Sequence, residues 1–214
     1  MITLKDKPEK IILIIFGKRG SGKTILAKNK VRDRWRLLIY DTLGEYSTGV
    51  IVTDLNELKE IWGKIYRGNF RITYQPVDPE GDFDAVCREV ALCGDLTFLV
   101  EELDRFARPL AMSRQFKEIV QRGRHHRVEL IGVTQRPHGI DKLLTSQAKQ
   151  MCIFNTTEPR DIDYFKDVVG YKVVMKIADL KEFEYVNWRD GSEELEICKE
   201  KFRKWDDLTE SLDQ

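Results

Sequence analysis

The sequence has no apolar run long enough to cross a bilayer. Its longest is Ile11–Phe16, against the roughly 20 residues a membrane helix needs. The N-terminus is charged and lacks an apolar segment followed by a small-residue cleavage site, so no signal peptide is expected. No C-x-x-C pair occurs. Cys87, Cys93, Cys152 and Cys198 are scattered, which reads as reduced thiols of an intracellular, cytoplasmic protein rather than a disulfide or zinc framework. There is no Ser-, Gly- or Pro-rich linker, no internal repeat and no low-complexity tract. Net charge is missing too: 36 Lys and Arg balance 36 Asp and Glu. That excludes a chain that is basic overall and leaves a local basic face open.

What remains is a globular composition, 42% hydrophobic and 34% charged over 214 residues. This length suits one well-packed domain and is short for two. Short β-rich runs alternate with helical ones. Ile11–Phe16, Leu37–Tyr40, Phe70–Tyr74, Leu96–Val100, Leu130–Thr134 and Met151–Phe154 read as strands. Helices are expected over Gly22–Arg34, Asp54–Tyr66, around Phe83–Ala91, and over Ser113–Arg124, Ile140–Ser146 and Pro159–Val169. Such alternation predicts an α/β fold with a mainly parallel sheet flanked by helices. The remainder reads as a hairpin through Phe183–Val186 and Leu195–Ile197 and a short helix. The expected organisation is a single domain over 1–214, its core about 10–170 and an appendage about 171–214. The last 25 residues are acidic, nine acids against four bases.

Gly17-Lys18-Arg19-Gly20-Ser21-Gly22-Lys23-Thr24 fits G-x-x-x-x-G-K-[ST], between a buried apolar run and a helical one. This is the P-loop pattern. Its glycines let successive backbone N–H groups turn inward around an anion, and the helix presents its N-terminus to the phosphates. Lys23 brings a mobile charge to the β- and γ-phosphates, and the Thr24 hydroxyl suits a Mg²⁺ ion. The cofactors expected are ATP and Mg²⁺.

Leu96–Val100 delivers Glu101 and Glu102 at its C-terminal end, where α/β folds bind ligands. One acid suits the metal, here Glu101, and the other, Glu102, an attacking water. Asp104 is a rival displaced from the strand end. A further apolar run ends in Thr134-Gln135-Arg136-Pro137. Gln135 is the candidate to touch a γ-phosphate or the water, although a strand-terminal Gln is more often a loop hydrogen-bonder. Between Arg114 and Arg127 lie Arg114, Lys117, Arg122, Arg124 and Arg127 against one acid, Glu118. A solvated helix face is the ordinary reading of such a run. An arginine supplied to a neighbour's phosphate and contacts to nucleic-acid phosphates compete with it. Arg105, Arg108 and Arg136 flank the run and are the ones expected to meet DNA.

Taken together, Gly17–Thr24, Ile39-Tyr40-Asp41 with Gly44-Glu45-Tyr46, Leu99-Val100-Glu101-Glu102, Gln121-Arg122-Gly123-Arg124 and Val133-Thr134-Gln135-Arg136-Pro137 resemble the HerA/FtsK superfamily of P-loop ATPases. The resemblance runs from about Ile11 to Gly170. In size and domain content the chain is similar to the genome-packaging ATPases of tailless icosahedral viruses with internal membranes, including archaeal ones. The resemblance implies a RecA-like core in a homo-oligomeric ring, translocating double-stranded DNA, with ATP sites between subunits. Lys23 and Thr24 are then the Walker A pair, Glu101 and Glu102 the Walker B pair, Gln135 the sensor and Arg122 or Arg124 the trans arginine. Glu101 departs from the usual Asp. The implied partners are DNA, further copies of the chain, and a capsid, portal or membrane protein. A small nucleoside or nucleotide kinase and a non-packaging assembly or secretion ATPase are the alternative readings.

Overall fold

A computed structural model describes residues 11–192 and 194–200. Its framework is a nine-stranded sheet. In chain order the elements are β1 (Ile12–Phe16), α1 (Lys23–Val31), β2 (Arg36–Tyr40), β3 (Val50–Val52), α2 (Leu55–Ile65) and β4 (Phe70–Tyr74). There follow α3 (Pro79–Cys93), β5 (Leu96–Val100), α4 (Leu103–Phe106), α5 (Arg114–His126), β6 (Val128–Thr134) and α6 (Lys142–Gln147). The last are β7 (Gln150–Phe154), α7 (Pro159–Val169), α8 (Tyr171–Asp179), β8 (Glu184–Arg189) and β9 (Glu196–Lys199). The strand order is β3-β4-β2-β5-β6-β1-β7-β8-β9. β1 to β7 run parallel to their neighbours, and β8 and β9 add antiparallel.

The central strands are apolar at nearly every position because both faces of the sheet are covered. Their side chains alternate between two cores. Ile14, Phe16, Leu38 and Tyr40 join the core under α2, α3, α5, α6, α7 and α8. Leu13, Ile15, Leu37 and Ile39 join the core under α1, with Leu26, Ala27 and Val31.

Helix starts follow local chemistry. Asp54 accepts from the amides of Asn56 and Glu57, Asp78 from Gly81 with Pro79 in the first turn, Ser113 from Phe116, and Asp141 from Leu143. Side-chain oxygens thereby satisfy amides that have no partner inside the helix. Asp141 explains why α6 begins at Lys142, two residues later than the apolar pattern predicts. α5 runs on to His126 and closes at Arg127 in a left-handed conformation.

Three elements escape the sequence pattern. β3 has three residues, two of them exposed. α4 is a single turn after the acids. α8 directly follows Gly170 and precedes the expected hairpin, which forms as β8 and β9. Any helix expected after the hairpin lies outside the described residues. All four cysteines are free thiols. Among the described residues, no helix is long and apolar enough to cross a membrane.

An aromatic cluster braces the acid-bearing end of the sheet. The Phe83 ring lies 3.9 Å from Phe106, 5.0 Å from Phe116 and 5.1 Å from Tyr40, centroid to centroid. It therefore joins α3, α4, α5 and β2. Phe83→Ala is expected to cost about 3–5 kcal/mol of unfolding free energy, read from a urea titration. A loss below about 1 kcal/mol would show that α4 does not depend on this cluster.

Candidate active site

The chain end of β1 leads into Gly17–Thr24, and the loop closes on itself before α1. The Ser21 amide donates to the Lys18 carbonyl at 3.2 Å, and Gly17 donates to Thr134 at the end of β6 at 3.2 Å. Gly20 and Gly22 have φ of +77° and +103°, a left-handed backbone that glycine adopts without strain. At Gly22 a Cβ would also lie 2.9 Å from the Phe183 ring. The Ser21 hydroxyl is buried under the loop without a hydrogen-bond partner.

Lys23 opens α1 and is 8% exposed. Its Nζ donates to the Lys18 carbonyl at 2.9 Å. Burial lowers its pKa, and the nearby carboxylates of Glu101, Glu45 and Asp104 pull the other way. A cation held in this way is underpaid in solvation and gains from an incoming polyanion. The Thr24 hydroxyl donates to Glu45 Oε2 at 2.8 Å.

The β5 end places the two acids differently. Glu101 is 3% exposed, and its Oε1 accepts the Tyr46 phenol at 2.5 Å. Burial raises its pKa to about 7. The Tyr46 hydrogen bond and Lys23 oppose this, while Glu45 and Asp41 reinforce it. Glu102 sits at φ 48°, ψ 46°, a left-handed conformation that costs a non-glycine residue about 1–3 kcal/mol. Its Oε2 accepts from the Thr42 hydroxyl and from Arg105 Nη1, both at 2.9 Å. Arg105 reaches on to Glu80 at 2.6 Å. Arg105 is thus part of the acid's surroundings.

Gln135 is exposed and lines the same cavity of about 500 Å³ as Lys23, Thr24, Glu45, Glu101 and Glu102. Next to it the Thr134 hydroxyl donates to Asp104 Oδ1 at 2.9 Å. Asp104 therefore ties α4 to β6. Thr24 and Glu101 offer hard oxygen donors beside an anion cradle, which suits Mg²⁺ held jointly with substrate phosphates. No group of three His, Cys, Asp or Glu side chains forms a protein-only metal cage among the described residues.

Arg122 and Arg124 do not reach this cavity. Both end α5 where β6 begins, and Gln135 follows the far end of β6, roughly 20 Å away at 3.3 Å per strand residue. Both are exposed. Arg122 contacts Glu118 at 3.3 Å, and Arg127 contacts Asp95 at 3.2 Å. Any part they take in chemistry is directed at another molecule.

Sequence reasoning assigned no chemistry to Thr42, Glu45, Tyr46 or Arg105 at this site. Glu45 and Tyr46 stood only in the Gly44-Glu45-Tyr46 motif, without a role. The available signal was position: Asp41 ends β2 beside β5, so the loop after it must border the acids.

No protein-family model and no curated protein sequence matches the chain. Solved structures do. The genome-packaging NTPase B204 of Sulfolobus turreted icosahedral virus 2, in complex with AMPPCP, superposes with a TM-score of 0.78 at 20% identity, covering 91% of this chain and 100% of that one. B204 of Sulfolobus turreted icosahedral virus, described as a DNA-packaging ATPase, gives 0.75 at 18% identity over 92% and 100%. VirB4 of Thermoanaerobacter pseudethanolicus gives 0.64 at 10% identity over 90% of each chain. The chain shares its fold with these packaging NTPases and with VirB4.

The raised Glu101 pKa has a stability consequence. A carboxyl near 7 when folded and near 4.5 when unfolded favours the folded state at low pH. That contribution is lost as pH rises through 7. In protein free of nucleotide and metal, the melting-temperature advantage of Glu101→Gln over the parent should grow from pH 5 to pH 8. An advantage independent of pH would show that Glu101 ionises freely in the fold.

Proposed function

We propose that the chain is a Mg²⁺-dependent ATPase that translocates double-stranded DNA as a homo-oligomeric ring, packaging a viral genome in the host cytoplasm or at the virion. The observation that carries the ATPase reading is the convergence of Lys23 and Thr24 with Glu101, Glu102 and Gln135 on one cavity at the C-terminal edge of the sheet. The fold shared with the packaging NTPases supports the choice of motor.

In this reading the Gly17–Thr24 amides and Lys23 hold the triphosphate, while Thr24 and Glu101 face the Mg²⁺. The ion would neutralise charge on the β- and γ-phosphates. Glu102 orients a water and takes its proton as it attacks the γ-phosphorus. Gln135 contacts the γ-phosphate or that water. The strand order favours this over a kinase: β6 lies between β1 and β5, which brings Gln135 between cradle and acids, where a kinase needs an acceptor pocket. Arg122 or Arg124 would serve a neighbour's phosphate, since its own is out of reach. Arg108 and Arg136 remain candidates for DNA phosphates, and a capsid, portal or membrane protein would anchor the ring.

Lys23→Ala should weaken nucleotide binding at least tenfold or abolish turnover. Glu102→Gln should keep ATP binding and lose hydrolysis by about 10²–10⁴-fold. Phosphate release by Lys23→Ala at the parent rate would reject the site, and DNA-independent phosphorylation of nucleosides would favour the kinase.

The trans arginine has its own test. An Arg122→Ala/Arg124→Ala chain and a Glu102→Gln chain are each expected to be inactive alone. Mixed rings contain interfaces with an intact acid from one subunit and intact arginines from the next. Hydrolysis should recover on mixing, and absence of recovery in co-assembled rings would leave the arginines as a solvated or DNA-facing patch.

A further inference from the structure

Two side chains assigned above to the metal, Thr24 and Glu101, come from different elements, yet consecutive residues of one loop hold both. Glu45 accepts the Thr24 hydroxyl proton at 2.8 Å, and Tyr46 donates its phenol to Glu101 at 2.5 Å. The loop itself is pinned from below by Asp41, which is 1% exposed. Asp41 Oδ1 accepts from the amides of Leu43 at 3.3 Å and Glu45 at 3.1 Å. Its Oδ2 accepts from the Tyr46 amide at 3.0 Å and from Gln75 Nε2 at 3.0 Å. A buried carboxylate with four donors fixes a loop firmly, since any shift leaves part of the charge unsatisfied.

The chemistry of a hydroxyl ligand gives this arrangement a purpose. A threonine oxygen that offers a lone pair to a cation must send its proton to some other acceptor. The acid-strand carboxylate of Glu101 is engaged by Tyr46. Glu45 takes the Thr24 proton. Tyr46 in turn is buried, and burial together with the Glu101 charge raises its pKa well above the ordinary phenol value. It therefore acts as a fixed donor.

We propose that Glu45 and Tyr46 are positioning residues for the nucleotide's Mg²⁺. Glu45 accepts the Thr24 proton so that the hydroxyl oxygen faces the cavity, and Tyr46 orients the Glu101 carboxylate. This rests on the nucleotide reading of the same cavity. It also accounts for Glu at position 101: one carboxylate oxygen is held by Tyr46, and the other is left for the metal's surroundings.

The test measures metal affinity apart from turnover. Mn²⁺ is titrated into the full-length protein saturated with ADP, and free Mn²⁺ is read by electron paramagnetic resonance. ADP affinity is measured separately in EDTA. Glu45 is exposed, so Glu45→Ala is expected to fold. It should weaken Mn²⁺ binding by about 10–100-fold, the usual effect of losing an outer-shell partner, with ADP affinity in EDTA unchanged or tighter. Glu45→Gln, whose amide oxygen still accepts, should fall between Glu45→Ala and the parent. Tyr46→Phe should also weaken Mn²⁺. Parent-like Mn²⁺ affinity in Glu45→Ala overturns the proposal. So does an equal loss of ADP affinity in EDTA, which would make Glu45 a prop for the loop. A parent protein that binds no ADP rejects the nucleotide reading itself, before any variant is compared.

Discussion

The pairing of β6 between β1 and β5 is the constraint on which the site depends. Phe16 is in register with Thr134, and Val100 with Gly132. Two strand spacings of about 4.8 Å separate the phosphate cradle from the acids by about 10 Å. That gap matches a terminal phosphate with its metal and water. No single loop could set it, because both margins are ladders of hydrogen bonds in the buried middle of the sheet. A slip of one residue would also turn the strand's core residues to the wrong face, so packing enforces the spacing of the site. Gly132 has a part in this. A Cβ there would lie 2.3 Å from Leu103 Cδ2, so the missing side chain lets α4 settle over β6 and fixes the direction in which Glu102 leaves β5.

The two edges of the sheet handle buried charge in opposite ways. At the edge where the strands begin, Glu129 is nearly fully buried. Arg34 meets it with two hydrogen bonds, at 2.7 and 2.8 Å, and the Thr97 hydroxyl with a third at 2.6 Å. The Glu129 carboxylate is thus satisfied by its own neighbours. At the edge where the strands end, Lys23 has one carbonyl, and Glu101 has a phenol that only partly offsets its burial. Polar groups left short of partners in a low-dielectric cleft mark a place where a ligand supplies what is missing.

Much of this was legible in the sequence because the signals are local. A strand buried on both faces reads as an apolar run, and Phe70–Tyr74, Leu96–Val100 and Pro159–Val169 have the ends the pattern predicts. The phosphate cradle is eight contiguous residues. The positions of Glu101 and Gln135 follow from strand ends alone. What stayed hidden is relational. Val50–Val52 is a strand only because β4 offers it an edge. The four-residue α4 is held by Leu103 and Phe106 against the core rather than by its own periodicity. Arg105 stands in the chain among basic residues and reads as part of a DNA-facing patch, and its bonds to Glu80 and Glu102 exist only after α3 and α4 meet. The roles of Glu45 and Tyr46 likewise need β2 to lie beside β5.

The loop after β2 makes the site more than the sum of its two motifs. The phosphate cradle and the acid pair belong to strands that do not touch, since β6 separates them. The link between them is Glu45 on Thr24 and Tyr46 on Glu101, with Asp41 anchoring both. Thr24 and Glu101 are therefore joined by one loop as well as lining one cavity. The same logic runs along the other side of β6, where Thr134 holds Asp104 and the Asp141 amide holds the Ala107 carbonyl at 2.7 Å. Both flanks of Gln135 are thus tied to α4, the turn that carries Glu102 at its head and leads to the exposed Arg108. A few short hydrogen bonds thus join the cavity to the turn that leads on to the basic outer surface.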